Sequence, residues 1–223
     1  MAYNPFKLTG FTPSRTTQKR SDTWGGAVSL GPSKSVITKA ITTITPGTAP
    51  STQNGELFLW PGMSNGTGDL VQTTLESWPS NDWCGAKTGE WCIRCSLFGG
   101  FGQKDGPSAA VSGDMRVEIL YELLDDGETW NQTATDLDSN TVLSTFSYKS
   151  GGFMRGYGTG TECDDSCTAT IAAQTYENTV ITLKEADSTF ADTIATSGSA
   201  TYEGLTVSGN VLTIAKINVP SMS

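Results

Sequence analysis

Short runs of alternating or β-branched residues, each closed by a turn signal, recur along this 223-residue chain. Residues 35–44 are β-branched or apolar at most positions, residues 115–121 alternate, and further runs follow between 168 and 219. Such runs are typical of strands, and their spacing predicts about a dozen of them. The one stretch with a helical pattern, residues 184–190, is a turn or two long. The sequence therefore predicts an all-β fold of two packed antiparallel sheets.

The length of the chain suits one such sandwich with a substantial core. Residues 1–22 are rich in Pro, Thr, Lys and Arg and have no hydrophobic period, which predicts an N-terminal arm. Residues 23–223 are predicted to form a single β-sandwich domain.

The charge balance excludes some classes of partner. The net charge is −9 and the pI is near 4.4, so the chain repels phosphate backbones and anionic lipid surfaces. No apolar run is long enough to span a membrane. The sequence thus predicts neither a nucleic-acid partner nor a membrane partner, and it does not indicate an oligomeric state.

Histidine is absent from the sequence. This excludes Ser-His-Asp and Cys-His triads, His-ligated zinc and histidine bases. Proton transfer must depend on carboxyl groups, Tyr, Lys or Cys, and we expect no cofactor and no metal. The acidic pair Asp164 and Asp165 leaves a cation site open as an alternative, although a solvated acidic loop is the simpler interpretation.

Five cysteines and two glycosylation sequons favour an oxidising, secretory compartment. The sequons begin at Asn65 and Asn131. The odd cysteine count predicts two disulfides and one free thiol, with a small cross-linked turn at residues 163–167. A redox or zinc motif at residues 92–95 is the alternative. The cysteines are Cys84, Cys92, Cys95, Cys163 and Cys167.

A hairpin near the middle of the chain presents an aromatic ring and an amide. Residues 57–60 form an apolar run, Pro61-Gly62 and residues 65–68 are turn signals, and residues 70–75 alternate again. Trp60 lies on the first strand and Gln72 on the second. Burying an amide without partners costs roughly 1–3 kcal/mol, so a central Gln indicates a function, unless it is a surface residue on an edge strand.

Residues 77–107 mix aromatic side chains with cysteines and glycines. This composition predicts a long irregular loop that lines a binding site. The ring-bearing candidates for substrate binding are Trp60, Trp78, Trp83, Trp91, Phe98 and Tyr176. In contrast, Trp24 and Trp130 are predicted to lie in the core.

Several motifs resemble those of the fungal glutamic peptidases, the eqolisin family. Trp24-Gly-Gly-Ala-Val is similar to the family's opening strand, and Trp60-Pro-Gly-Met with Leu70-Val-Gln72-Thr is similar to its Trp-Val-Gly-Ile and Leu-Gln-Thr-Gly hairpin. The resemblance implies a concanavalin-like jelly-roll sandwich with Gln72 as one half of a catalytic dyad. It implies Glu177, in Tyr176-Glu177-Asn178, as the other half.

The chain departs from the family pattern around the hydrolytic carboxyl. Asn178 replaces a Trp, and a cysteine-bearing stretch replaces the loop that floors the peptidase groove. The chain also resembles secreted fungal hetero-Diels–Alderases in sandwich type, cysteine-bearing loops and sequons. We therefore expect a pericyclase-like catalyst of apolar small molecules first. The alternatives are an acid glutamic endopeptidase, whose ligand is a peptide, and a lectin-like sandwich without chemistry.

Overall fold

The structure is a computed structural model that describes residues 22–52 and 54–223. The predicted arm at residues 1–22 lies outside these ranges except for Asp22. The described residues form sixteen strands in two eight-stranded sheets, and every strand pairing is antiparallel. The predicted all-β sandwich is confirmed.

Helical structure is limited to two 3₁₀ turns in the described ranges, Asp82–Cys84 and Ala191–Thr193. The helical turn expected at 184–190 is wrong, since those residues form bends and turns. Within the same ranges, no helix has the length and apolar character needed to cross a membrane.

The first sheet carries the candidate site described below. Seven strands follow one another across the sheet. The two-residue strand β1 (Thr23–Trp24) pairs with one of them, β11 (Gly156–Asp164). In spatial order the seven strands are β13 (Ala195–Ser197), β2 (Ala27–Leu30), β11, β4 (Glu56–Ser64), β5 (Leu70–Ser77), β6 (Trp91–Gly99) and β7 (Gly102–Val111).

The second sheet packs against the first across the hydrophobic core. Its strand β15 (Thr206–Ser208) pairs with β16 beside the main path. In spatial order the other strands are β10 (Thr141–Lys149), β9 (Thr129–Asp136), β8 (Val117–Leu123), β3 (Ile37–Thr45), β12 (Gln174–Leu183), β16 (Val211–Val219) and β14 (Thr201–Glu203).

The core follows from the period of two along the strands, which sends alternate side chains to one face. The strands of the first sheet supply Leu59, Val71 and Leu75 to it, and the second sheet supplies Ile119 and Trp130 among others. All five side chains are fully buried. The prediction that Trp130 lies in the core is confirmed.

Pro61-Gly62 does not form a turn. Both residues lie inside β4, and the pairing of β4 with β5 is interrupted next to them and resumes at Gly62 in the same register. Because proline has no N–H to donate, a gap in the ladder lets it stay in a strand. The hairpin turns instead after β4, where the Asn65 Oδ1 accepts hydrogen bonds from the N–H groups of Thr67 (2.8 Å) and Asp69 (3.3 Å).

The irregular loop expected at residues 77–107 is also wrong over most of its length. β6 and β7 occupy residues 91–99 and 102–111. In β6 the side chains alternate between the core and the opposite face, a period of two that the interspersed glycines and cysteines obscured. The irregular part is shorter, from residue 78 to residue 90, and a disulfide closes it onto β6.

The cysteines pair as the odd count predicted. Disulfides join Cys84 to Cys92 and Cys163 to Cys167, and Cys95 is a buried free thiol. The alternative of a redox or zinc motif at residues 92–95 is therefore wrong, because Cys92 is bonded elsewhere and Cys95 points into the core. Two disulfides are compatible with an extracellular location.

Candidate functional site

The outer face of the first sheet, the face turned away from the second sheet, brings together the polar and aromatic groups of the candidate site. On β5, Val71 and Leu75 point into the core, so Gln72, Thr74 and Glu76 project from the outer face. The cross-strand register extends this face over β11, β4, β5 and β6.

Gln72 lies near the middle of this face. Its cross-strand neighbours are Gly62 on β4 and Ser96 on β6. The side chain is only 8% exposed, yet its carboxamide has no hydrogen-bond partner among residues 22–52 and 54–223. The buried Ser96 Oγ beside it also lacks a partner in those ranges. Two neighbouring polar groups in this condition can bind a polar ligand atom.

Trp60 crosses the face beside Gln72. Its indole lies against Gly160 of β11, so closely that a Cβ at position 160 would stand 2.2 Å from Cε2. The Trp60 Nε1–H donates a 3.2 Å hydrogen bond to the Oε2 of Glu162. Gly160 is therefore the residue that lets the ring lie flat and bring its N–H to the carboxyl.

Trp24 is part of this face rather than of the core. It is 47% exposed and packs edge-on against Trp60, with 6.5 Å between ring centroids and an interplanar angle of 89°. The core prediction for Trp24 is wrong because Gly25-Gly26 separates it from the buried strand β2 and places it on the short strand β1, beside β11.

Glu162 is half-buried between aromatic rings. Its cross-strand neighbours are Phe58 on β4 and Trp24 on β1, and Asp164 follows two residues later on the same face. Burial and the nearby Asp164 raise the pKa of Glu162 to about 8, against an opposing effect of the Trp60 hydrogen bond. Both causes favour the neutral form of the Glu162 carboxyl.

The structure does not bring Gln72 and Glu177 together. Glu177 lies on β12 of the second sheet between Thr43 and Lys216, and its Oε1 is 3.4 Å from the Lys216 Nζ. Its neighbour Tyr176 points into the core, so Glu177 points to the far exterior. Because the whole core separates it from Gln72, the expected dyad of these two residues is wrong.

Glu162 lies on the same face as Gln72, but four residues away along the strands, about 13 Å, because Gln72 is level with Gly62 of β4 and Glu162 is level with Phe58. Gln72 on β5 and Glu162 on β11 flank β4, and both project from the outer face. The site therefore combines a carboxyl group of raised pKa with a carboxamide, and the Trp60 ring lies on the strand between them.

A second cluster on the outer face includes Trp78 and Trp83. Their rings are 5.4 Å apart, and the guanidinium of Arg94 lies 5.0 Å from the Trp83 ring centroid. Arg94 donates to both carboxylate oxygens of the buried Glu76, at 2.7 and 2.9 Å, and Trp78 Nε1–H donates to Glu76 Oε2 at 3.0 Å. These contacts fix the rings as a rigid wall at the side of the face beyond Gln72.

The remaining ring candidates divide between face and core. Phe98 projects from the outer face of β6 and is 38% exposed. Trp91 and Tyr176 are fully buried, and their polar atoms bond inside the protein, Trp91 Nε1 to the Gly47 carbonyl and Tyr176 Oη to Gln174. A substrate-binding role for Trp91 and Tyr176 is therefore wrong, because both occupy core positions of their strands.

The two sequons stand on different elements. Asn65 lies in the turn between β4 and β5, and Asn131 lies on β9 with its Oδ1 accepting from Ser147 Oγ at 2.6 Å. Glycosylation at either site stays a prediction.

Sequence reasoning missed Glu162. Residues 156–162 are Gly-Tyr-Gly-Thr-Gly-Thr-Glu, and repeated glycine is more typical of a loop than of a strand. The signal that could have indicated a strand is the alternation of the glycines. Glycines at 156, 158 and 160 lie on one face of a strand and leave it without side chains, and Glu162 is the next residue on that face. In the described part of the chain, no three His, Cys, Asp or Glu side chains are placed to hold a metal ion.

Comparison with known proteins supports the fold. No family model and no curated protein matches the sequence. Scytalido-glutamic peptidase in complex with a peptide-based transition-state analogue is 16% identical, with a TM-score of 0.56 over 88% of this chain and 98% of the peptidase. A second complex, with another transition-state analogue inhibitor, is 14% identical over the same shares, also with a TM-score of 0.56.

A third solved structure extends the likeness to another member of that family. SCP-B, an eqolisin peptidase in complex with the tripeptide Ala-Ile-His, is 14% identical, with a TM-score of 0.52 over 88% of this chain and 98% of its own. At such identities the likeness concerns the fold alone. The chain has the β-sandwich fold seen in the eqolisin glutamic peptidases.

Proposed function

We propose that the chain is a peptide hydrolase whose acid–base group is Glu162, and that Gln72 binds the same extended peptide further along the face. The proposal depends on one observation, that a carboxamide and a carboxyl with a raised pKa project from the same face of one sheet, on strands that flank β4. The fold is shared with peptidases that bind peptide-like inhibitors, which favours a peptide as the ligand.

Each group has a definite task in this proposal. Glu162 delivers its proton to the scissile amide while water adds to the carbonyl carbon, and it takes a proton from that water, so the carboxyl is restored when the C–N bond has broken. The N–H of Gln72 donates to a carbonyl oxygen of the bound peptide at a neighbouring residue and so helps to orient it. Trp60 orients the Glu162 carboxyl through its indole N–H.

The experiment is cleavage of an unfolded protein substrate between pH 3 and pH 9. We expect activity on the acidic side that falls as Glu162 ionises near pH 8. Glu162→Gln should lower kcat by about 10²–10⁴-fold, whereas Gln72→Ala should mainly raise KM. The matched control is Glu177→Gln, on the opposite side of the molecule, which should keep full activity. Loss of activity in Glu177→Gln with retention in Glu162→Gln would refute the assignment.

The same geometry supports a second candidate, the pericyclase that the sequence favoured. A carboxylic acid kept neutral between rings can hydrogen-bond to a carbonyl of an apolar polyene and orient it without any proton transfer. Glu162→Gln separates the two functions, because a glutamine still donates a hydrogen bond but cannot exchange a proton. A cyclase should keep most of its rate in Glu162→Gln, whereas the hydrolase should lose it.

A lectin-like role is the third alternative. The exposed rings of Trp24 and Trp83 on the outer face are suited to stacking on sugars. Binding of an oligosaccharide without turnover of either a protein or a polyene would favour this role over both catalytic ones. Under any of the three functions we place the chain in the secretory pathway, which the two disulfides support.

A further inference from the structure

We propose that Asp164 is a positioning residue for Glu162, and that the two carboxyl groups share one proton which Asp164 keeps on Glu162. Its importance for catalysis depends on the proposed function, but the sharing of the proton does not. The glutamine–glutamate arrangement described above assigns no task to a second carboxyl.

The two carboxyl groups are neighbours on one strand. Residues two apart on β11 project from the same face, with about 6.6 Å between their Cα atoms, and the Glu162 side chain is within hydrogen-bond reach of Asp164. Two ionised carboxylates this close repel each other strongly, so the pair retains one proton well above the usual range of either acid. The apparent pKa values then belong to the pair.

The surroundings decide which carboxyl keeps the proton. Glu162 has aromatic neighbours on both adjacent strands, Phe58 and Trp24, which favour its neutral form. Asp164 instead lies opposite Glu56 of β4, and Asp22, just before β1, acts on Glu162 from the other side. The acidic groups that oppose a negative charge on Glu162 are Asp164 on β11 and Asp22 beside β1, whereas Glu56 on β4 faces Asp164 and acts on that residue.

The loop after β11 holds Asp164 in place. The Cys163–Cys167 disulfide closes a ring around it, and the Cys167 N–H lies 2.9 Å from the Cys163 Sγ. Asp165 and Ser166 are both left-handed, with φ of 61° and 62°, a conformation that non-glycine residues keep only where the surroundings impose it. Asp164 is therefore fixed beside Glu162.

The test uses the Trp60 indole as a reporter. Its N–H donates to Glu162, so its ¹H–¹⁵N chemical shift follows ionisation of that carboxyl. The signal is assigned by its loss in Trp60→Phe. In the wild type we expect a step near pH 8. In Asp164→Asn the step should move down by about 1–2 pH units, the usual effect of removing one close charge.

Asp165→Asn is the matched control, since it removes the same charge from the next residue of the same loop and suits a left-handed position. It should leave the step within a few tenths of a unit of the wild type. Asp164→Ser is a second variant that removes the carboxyl, and it should move the step downward like Asp164→Asn. A step that stays near pH 8 in both Asp164 variants, or that moves equally in Asp165→Asn, would overturn the proposal.

Activity separates this inference from the proposed function. If the shared proton and the peptidase function are both correct, Asp164→Asn lowers the pH at which activity falls by the same amount as the pH at which the Trp60 indole signal shifts. KM should change little. If the indole step moves but the wild type cleaves no peptide, the shared proton stands and the peptidase proposal falls. If peptides are cleaved and the step does not move, the peptidase stands and the role of Asp164 falls.

Discussion

Glu162 shows how strongly one residue depends on its neighbours. The same side chain in water is ionised at pH 7, whereas here burial beside Phe58 and Trp24 and the charge of Asp164 raise its pKa. Gln72 could be identified from the sequence because an amide in an apolar run is unusual in itself. Glu162 could not, because nothing in its local sequence indicates the rings that flank it, and its partner Trp60 is 102 residues away.

The raised pKa of Glu162 has a consequence for stability. Above its ordinary pKa near 4.5 the unfolded chain releases this proton, while the folded protein holds it until about pH 8. Stability is therefore lost as pH rises through this interval. Glu162→Gln cannot ionise, so we expect it to exceed the wild type at pH 7.5 by on the order of 1–3 kcal/mol after allowance for solvent screening, and to match it near pH 4.

Thermal or urea unfolding at the two pH values measures this difference. Glu177→Gln serves as the control, because it removes a carboxylate on the outside of the second sheet that pairs with Lys216, and it should bring no gain at pH 7.5. A Glu162→Gln protein that is less stable than the wild type at both pH values would contradict a raised pKa of Glu162.

Among the strands, β11 shapes the outer face of the first sheet because it carries glycines there instead of larger side chains. Its glycines leave the outer face bare between β4 and β2, and the ring of Trp60 occupies the space over Gly160. Strands are predicted from the alternation of apolar and polar side chains, so a strand with glycine at every second position is predicted as a loop. In contrast, β4 and β5 were predictable because their apolar residues reveal both the period and the core side.

Gly160→Ala tests this use of glycine. The added methyl group would stand 2.2 Å from the Trp60 Cε2, so the ring must move and its hydrogen bond to Glu162 must break. We expect a loss of about 1–3 kcal/mol in the free energy of unfolding, typical of overpacking, together with reduced activity.

A double-mutant cycle with Trp60→Ala is the control. Trp60→Ala removes the three atoms nearest to the added methyl group, so Gly160→Ala should then change stability by well under 1 kcal/mol. An equal loss in both backgrounds would mean that the strand itself, rather than the ring, requires glycine at position 160. Urea unfolding of the four proteins supplies the comparison.

For the whole molecule, the two-sheet sandwich could be predicted from strand number and turn spacing, but the order of strands in each sheet could not. That order decides which carboxyl lies on the same sheet as Gln72. β11 lies beside β4 in the first sheet, whereas β12, with Glu177, lies beside β3 in the second. The sequence motif predicted Glu177 as the partner of Gln72, and only the topology showed that Glu177 lies on the other side of the core.

The buried free thiol of Cys95 can report when the two sheets separate. It lies between the sheets near Thr73 and Ser144, and burial raises its pKa to about 11. Because the thiolate is the reactive form, alkylation at neutral pH requires the sheets to separate. We expect iodoacetamide to label Cys95 at a rate that rises with urea concentration in parallel with global unfolding. Fast labelling without denaturant would instead mean that the region around Cys95 opens by local unfolding.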